Sequence, residues 1–234
     1  MKKIVRNWKN MFVVLIMIAN ILSIFFKPII VKSEGLEIGY QAFTNGGFRH
    51  SSSNSDVYSN ALFLREVGSR DTGSNSIIGY CFNGYKTMPP EITVLESGFD
   101  SVIVNTKYYK NSNLSNIYDY ADNPSLSREE FNKKIKQILY NGYPFDGSGF
   151  NNGSIRLSAF RRATQTAIWA YTDGGNTLTI DDIVNKYSSS QDEKNVLRKL
   201  LEATNEVPDN FVLDFYKADT EGMQNVISGR IDNN

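Results

Sequence analysis

The sequence predicts an α+β fold, on three observations. Strand-like segments with turn signals run to about residue 110, capped amphipathic helices fill 111–209, and strand-like residues return over 210–230. Strands, then helices, then strands predict a β-sandwich or barrel-like subdomain carrying an inserted α-helical subdomain, so the chain crosses between the two more than once. No internal repeat or low-complexity run breaks this pattern.

Residues 1–33 read as an export signal. Lys2, Lys3, Arg6 and Lys9 precede an apolar run from Met11 to Phe26, and Val31-Lys32-Ser33 offers a small-residue cleavage site. The alternative is an uncleaved membrane anchor, although Asn20 interrupts the run and it is short for a span of about 20 residues. Export predicts a mature domain over 34–234, secreted or held at the cell surface, touching a membrane only through this segment.

The whole chain has 25 basic and 25 acidic residues. Residues 1–33 hold six of the basic and none of the acidic ones, leaving 19 against 25, a formal charge of −6. An acidic domain without a basic cluster argues against a nucleic-acid partner, because phosphate binding needs Lys and Arg. The remaining length is enough to bury a core without disulfides.

From 34 to 110 the chain reads as strands and turns. Ile77 to Phe82 is a β-prone run closed by the turn signal Asn83-Gly84, and Ile92 to Leu95 and Val102 to Val104 follow. Asn45 to Asn60, rich in Gly, Ser and Asn, reads as a loop. In the helical block, Ser127 with Glu130 forms a capping-box signature ahead of Phe131, Ile135, Ile138 and Leu139 on one face, with a stop near Asn141-Gly142. A second helix is expected over Ile155 to Tyr171, ended by Asp173-Gly174-Gly175 and carrying Gln165. A short helix follows over Thr179 to Tyr187. Ser190 with Glu193 caps a last one, whose stripe is Val196, Leu197, Leu200 and Leu201 and which Pro208 is expected to end. Phe211 to Tyr216 and Asn225 to Ser228 return to strand character.

Cys81 is the only cysteine. In an exported chain a lone thiol has no intramolecular disulfide partner, so it is either a buried, inert small hydrophobe or a reactive sulfur. His50 is the only histidine, which admits a cysteine hydrolase or transglutaminase with Cys81 as nucleophile and His50 as base. Against that, His50 lies in a polar, Ser-rich stretch. A noncovalent binding module with Cys81 merely packed is a third reading. One Cys and one His supply too few ligands for a structural zinc site, and neither an EF-hand nor a phosphate-binding glycine loop occurs, so no metal or cofactor is expected.

Gly79-Tyr80-Cys81-Phe82-Asn83, Tyr140-Asn141-Gly142-Tyr143-Pro144 and Thr164-Gln165-Thr166-Ala167-Ile168-Trp169 occur in one order along the chain. Together, over residues 35 to 230, they resemble the thioester (TQxA) domains of Gram-positive surface adhesins. The resemblance implies an internal thioester between Cys81 and Gln165 at the junction of the β and helical parts. It also implies capture of a host surface or matrix protein through a lysine amine, and one capture per domain rather than enzymatic turnover. Tyr80, Phe82, Thr164 and Trp169 are the expected pocket residues, Trp169 because it lies one helical turn from Gln165. Family members continue into stalk domains and a sorting signal; neither follows Ile231 to Asn234 here, so the mode of anchoring stays open.

Overall fold

A computed structural model describes residues 39–45, 62–66, 77–89, 91–92, 107–111, 114–174 and 177–233, all within the compact unit Gly35–Asn234. The export segment over 1–33, the loop beyond Asn45 with His50, the residues after Ile92 through Leu95, and Val102 to Val104 lie outside these residues.

Among the described residues seven strands form one sheet: β1 (Gly39–Asn45), β2 (Leu62–Glu66), β3 (Ile77–Cys81), β4 (Glu91–Ile92), β5 (Tyr108–Asn111), β6 (Phe211–Ala218) and β7 (Val226–Ile231). Six of them pair antiparallel in the order β1-β2-β3-β7-β6-β5, and β5 pairs again with β1, so the sheet curls and closes on itself. The short β4 adds in parallel to the end of β1. Successive side chains of a strand point to opposite faces. This sorts the strands into two apolar sets: Leu62, Leu64, Cys81, Tyr108, Tyr216 and Val226 form the inward cluster. Tyr80, Phe82, Phe211, Leu213, Phe215 and Ile227 face outward and join the helical core.

Among the described residues four α-helices occur, all between β5 and β6, preceded by a 3₁₀ turn over Leu114–Tyr120. Helix α1 (Arg128–Asn141) starts in the expected capping box: the Ser127 side chain accepts from the Glu130 N–H, and the Glu130 carboxylate accepts from the Ser127 N–H. Its face of Phe131, Ile135, Ile138 and Leu139 is fully buried, each side chain contributing about 1.5–3 kcal/mol. Helix α2 (Leu157–Thr172) buries Phe160, Ala163, Thr164, Ala167 and Ile168. Helix α3 (Ile180–Tyr187) has its own capping box, Thr179 with Asp182.

Helix α4 (Gln191–Glu202) starts at the expected cap and ends short of the expected stop. Ser190 does cap it, accepting from the Glu193 N–H at 3.1 Å, but the Glu193 carboxylate turns to the N–H and hydroxyl of Ser189 at 2.8 and 2.6 Å. The helix stops at Glu202, well before Pro208. Its last carbonyls find tertiary donors instead: Lys134 Nζ donates to Leu201 and Ala203 at 3.3 and 2.5 Å, and the Tyr171 hydroxyl donates to Leu201 at 2.6 Å.

Candidate functional site

Strand β3 ends at Cys81, and the chain turns at once: Lys86 N–H reaches back to the Asn83 carbonyl at 3.4 Å, as the Asn-Gly signal predicts. The turn is pinned from three sides. Asn83 Nδ2 donates to the Tyr120 carbonyl at 2.7 Å, its Oδ1 accepts from Asn225, and the Gly84 N–H donates to Asp173 Oδ2 at 2.7 Å. The strand end is thereby held against α2, through the residue that caps its C-terminus.

There the two residues of interest meet. The Cys81 N–H donates to Gln165 Oε1 at 2.9 Å, and Gln165 Nε2 donates to the Cys81 carbonyl at 2.7 Å. This two-point pairing fixes the carboxamide against the backbone that carries the thiol. The thiol itself is free and buried, at 3% exposure. Burial pushes it up to about 12, opposed by the positive charge of Arg161 and by a backbone hydrogen bond. Tyr108, in the same inward cluster, is raised as well, by burial first and by the nearby Cys81 second.

Both residues border a cleft of about 780 Å³. One stripe of α2 lines it, Ser158, Arg161, Arg162, Gln165, Thr166 and Trp169, whose spacing is that of a single helical face. Arg156 from the start of α2, and Asp192 and Glu193 from α4, supply its remaining charges. The Glu193 carboxyl is held below its ordinary range by the Ser189 hydrogen bonds and then by Arg162. Among the described residues no group of three or more His, Cys, Asp or Glu is placed to hold a metal ion, and no helix is long and apolar enough to cross a membrane.

Of the expected pocket residues, Trp169 lines the cleft and the other three do not. The reason is periodicity. Tyr80 on β3 and Phe82 just past its end flank Cys81 and point to the opposite face, where Phe82 packs edge-on against Phe215 and Phe131 at 5.1 and 6.1 Å. Thr164 precedes Gln165 by one position, about 100° around the helix, and faces the core. Its hydroxyl donates to the Phe160 carbonyl at 2.9 Å and accepts from the Tyr143 N–H at 3.0 Å. The Tyr80 hydroxyl in turn donates to the Tyr143 carbonyl at 2.5 Å. A Cβ on Gly142 would meet Thr164 Cγ2 at 2.4 Å, so only glycine lets this segment approach α2 so closely. The three sequence motifs are thus one hydrogen-bonded unit, with the Gly142-Tyr143 backbone bridging the strand of Cys81 to the helix of Gln165.

The arginines lie outside the sequence motifs. Arg161 and Trp169 lie four residues before and four after Gln165, so helical spacing carried the signal for both.

Comparison with known proteins gives the family and the fold. The family model "Thioester domain" matches residues 78–206. The pilus tip adhesin Cpa of Streptococcus pyogenes is 31% identical over 172 residues, 67% of this chain; the chain spans about a quarter of that protein, 24%. The N-terminal thioester domain of a surface protein from Clostridium perfringens superposes with a TM-score of 0.62 at 25% identity, covering 82% of this chain and 99% of that one. The N-terminal thioester domain of fibronectin-binding protein SfbI from Streptococcus pyogenes shares the fold, with a TM-score of 0.59 at 24% identity over 81% of this chain and 91% of that one. The chain belongs to the thioester domain family found in surface adhesins of Gram-positive bacteria.

Proposed function

We propose that this protein is an exported adhesin domain that closes an internal thioester between Cys81 and Gln165 and spends it on a lysine amine of a host surface or matrix protein. The single observation that carries the reading is the reciprocal pairing of the Gln165 carboxamide with the Cys81 backbone. In closure the sulfur attacks Cδ of Gln165, the carbon–nitrogen bond breaks, and Nε2 leaves as ammonia with the thiol proton. Charge develops on Oε1, the atom to which the Cys81 N–H already donates at 2.9 Å. Holding the two groups in contact replaces a bimolecular encounter, an advantage of order 10⁵ to 10⁸ M in effective molarity. The crosslink ties the inserted helical part to the sheet at their junction.

Opening reverses the roles. A neutral amine attacks the thioester carbonyl, the carbon–sulfur bond breaks, and the sulfur recovers a proton from the amine. Gln165 is then joined to the target by an amide bond, and the domain is used up, so this is capture and not turnover. A lysine, with an ordinary pKa near 10.4, must shed its proton first. The relative SfbI is by name fibronectin-binding, which supports a matrix or cell-surface protein as target. The acidic domain supports no role for nucleic acid.

Incubation with soluble matrix proteins, followed by denaturing electrophoresis, tests this. The expected outcome is a boiling-resistant adduct that maps to Gln165 and a target lysine, persists in His50→Ala, and is missing in Cys81→Ala and Gln165→Ala. Adducts that survive either of the last two substitutions would refute it.

A further inference from the structure

Closing and opening a thioester moves negative charge between the buried Cys81 sulfur and Gln165 Oε1, and α2 brings a cation to the cleft that both residues border. Arg161 lies one turn before Gln165 on the cleft-lining face, where residues four apart are neighbours. It is 9% exposed. Arg162, the next residue in the same cleft, differs: its side chain is 60% exposed and pairs with Glu193 at 3.5 Å. The other charged groups bordering the cleft are Arg156 and Asp192. The groups whose charges act on Arg161 are Tyr80, Arg162, Tyr143 and Cys81, so it sits within electrostatic reach of the reacting sulfur.

Building on the thioester reading, we propose that the Arg161 guanidinium stabilises the charge that passes from the Cys81 sulfur to Gln165 Oε1 in closure and back to the sulfur in opening. Arg161 makes and breaks no bond and moves no proton. In closure the sulfur–carbon bond replaces the carbon–nitrogen bond and the thiol proton leaves with ammonia. In opening the amine–carbon bond replaces the carbon–sulfur bond and the amine proton returns to the sulfur. The need for such a cation follows from burial. A buried thiol is a weak nucleophile and a buried thiolate a poor leaving group, and Arg161 is the charged group that draws the Cys81 thiol back down. A fixed charge in a water-poor site acts far more strongly than one in solvent, which separates Arg161 from the screened Arg162.

The test follows intact mass of the purified chain over time with methylamine, in the parent and in R161Q, R161K and R162Q. Circular dichroism confirms the fold of each. R161Q is expected to close incompletely or to capture methylamine about a hundredfold more slowly. R161K should recover part of that loss, and R162Q should stay close to the parent. A folded R161Q with the full loss of ammonia and the parental capture rate overturns the proposal and leaves the thioester reading standing. So does an R162Q defect as large as that of R161Q. A parent that has lost no ammonia removes the thioester reading and this proposal with it. Should R161Q fail to fold, R161H carries its own control, because its imidazole is charged below and neutral above roughly pH 6.5. The ratio of its capture rate to the parent's is expected to fall as pH rises through that range, and a flat ratio overturns the proposal.

Discussion

Tyr80 and Cys81 are neighbours on β3 and have opposite surroundings. Tyr80, with Phe82 beyond Cys81, enters the large core that the outer face of the sheet shares with the four helices. Cys81 enters the small inward cluster beside the cleft, with Leu62, Leu64, Tyr108, Tyr216 and Val226. Helix α2 repeats the division one residue apart, with Thr164 toward the core and Gln165 toward the cleft. The core-side partners hold the frame through apolar packing and the Tyr80–Tyr143–Thr164 hydrogen bonds. The cleft-side partners are joined instead by the reciprocal hydrogen bonds between the Gln165 carboxamide and the Cys81 backbone.

Substitutions on the two sides should therefore part company, stability against reactivity. The largest loss of stability is expected from Phe82→Ala, which empties a fully buried site between Phe131 and Phe215 and should cost about 3–5 kcal/mol in chemical denaturation. Gly142→Ala comes next, at about 1–3 kcal/mol, because its new Cβ meets Thr164 Cγ2 at 2.4 Å. Thr164→Val keeps the shape but strands the buried Tyr143 N–H, and a cost of about 1–3 kcal/mol is expected there too. Added to the uncrosslinked Cys81→Ala variant, Gln165→Ala should cost only about 1 kcal/mol, and alone it should abolish methylamine capture completely. Equal stability losses for Phe82→Ala and Gln165→Ala, both in the Cys81→Ala background, would break the comparison.

A pH effect sharpens it. In Gln165→Ala the thiol stays free, and its folded value lies above its unfolded one. A group raised on folding contributes its full stability below the unfolded value and loses it as pH rises toward the folded one. Relative to the Cys81→Ala/Gln165→Ala double variant, Gln165→Ala should lose stability as pH rises between 9.0 and about 12. Parallel stability curves for the two would mean that burial leaves the thiol unperturbed.

The sheet-and-helix order and the helix starts were legible because both are local. Ser127 with Glu130 and the stripe Val196, Leu197, Leu200, Leu201 depend on spacing alone. The stop of α4 was not legible, since it is made by Lys134 and Tyr171 from other helices. At the site, the motifs pointed to Cys81 and Gln165, and the structure sets them in contact. Motif membership did not tell cleft from core: Tyr80, Phe82 and Thr164 belong to the same motifs and support the site from behind. Strand and helix periods separate the two groups only once one residue of each element is anchored to the cleft. Arg161 belongs to no motif, and its nearness to the sulfur depends on how α2 packs against β3.

The central claim is a covalent bond between Cys81 and Gln165, and the most direct measurement is the intact mass of the purified chain beside Cys81→Ala, before and after methylamine. The account predicts a parent mass one ammonia below that of its sequence, a single methylamine addition to Gln165 that restores a titratable thiol, and neither change in the variant. A parent at its full sequence mass, with a free Cys81 thiol from the outset, would contradict it.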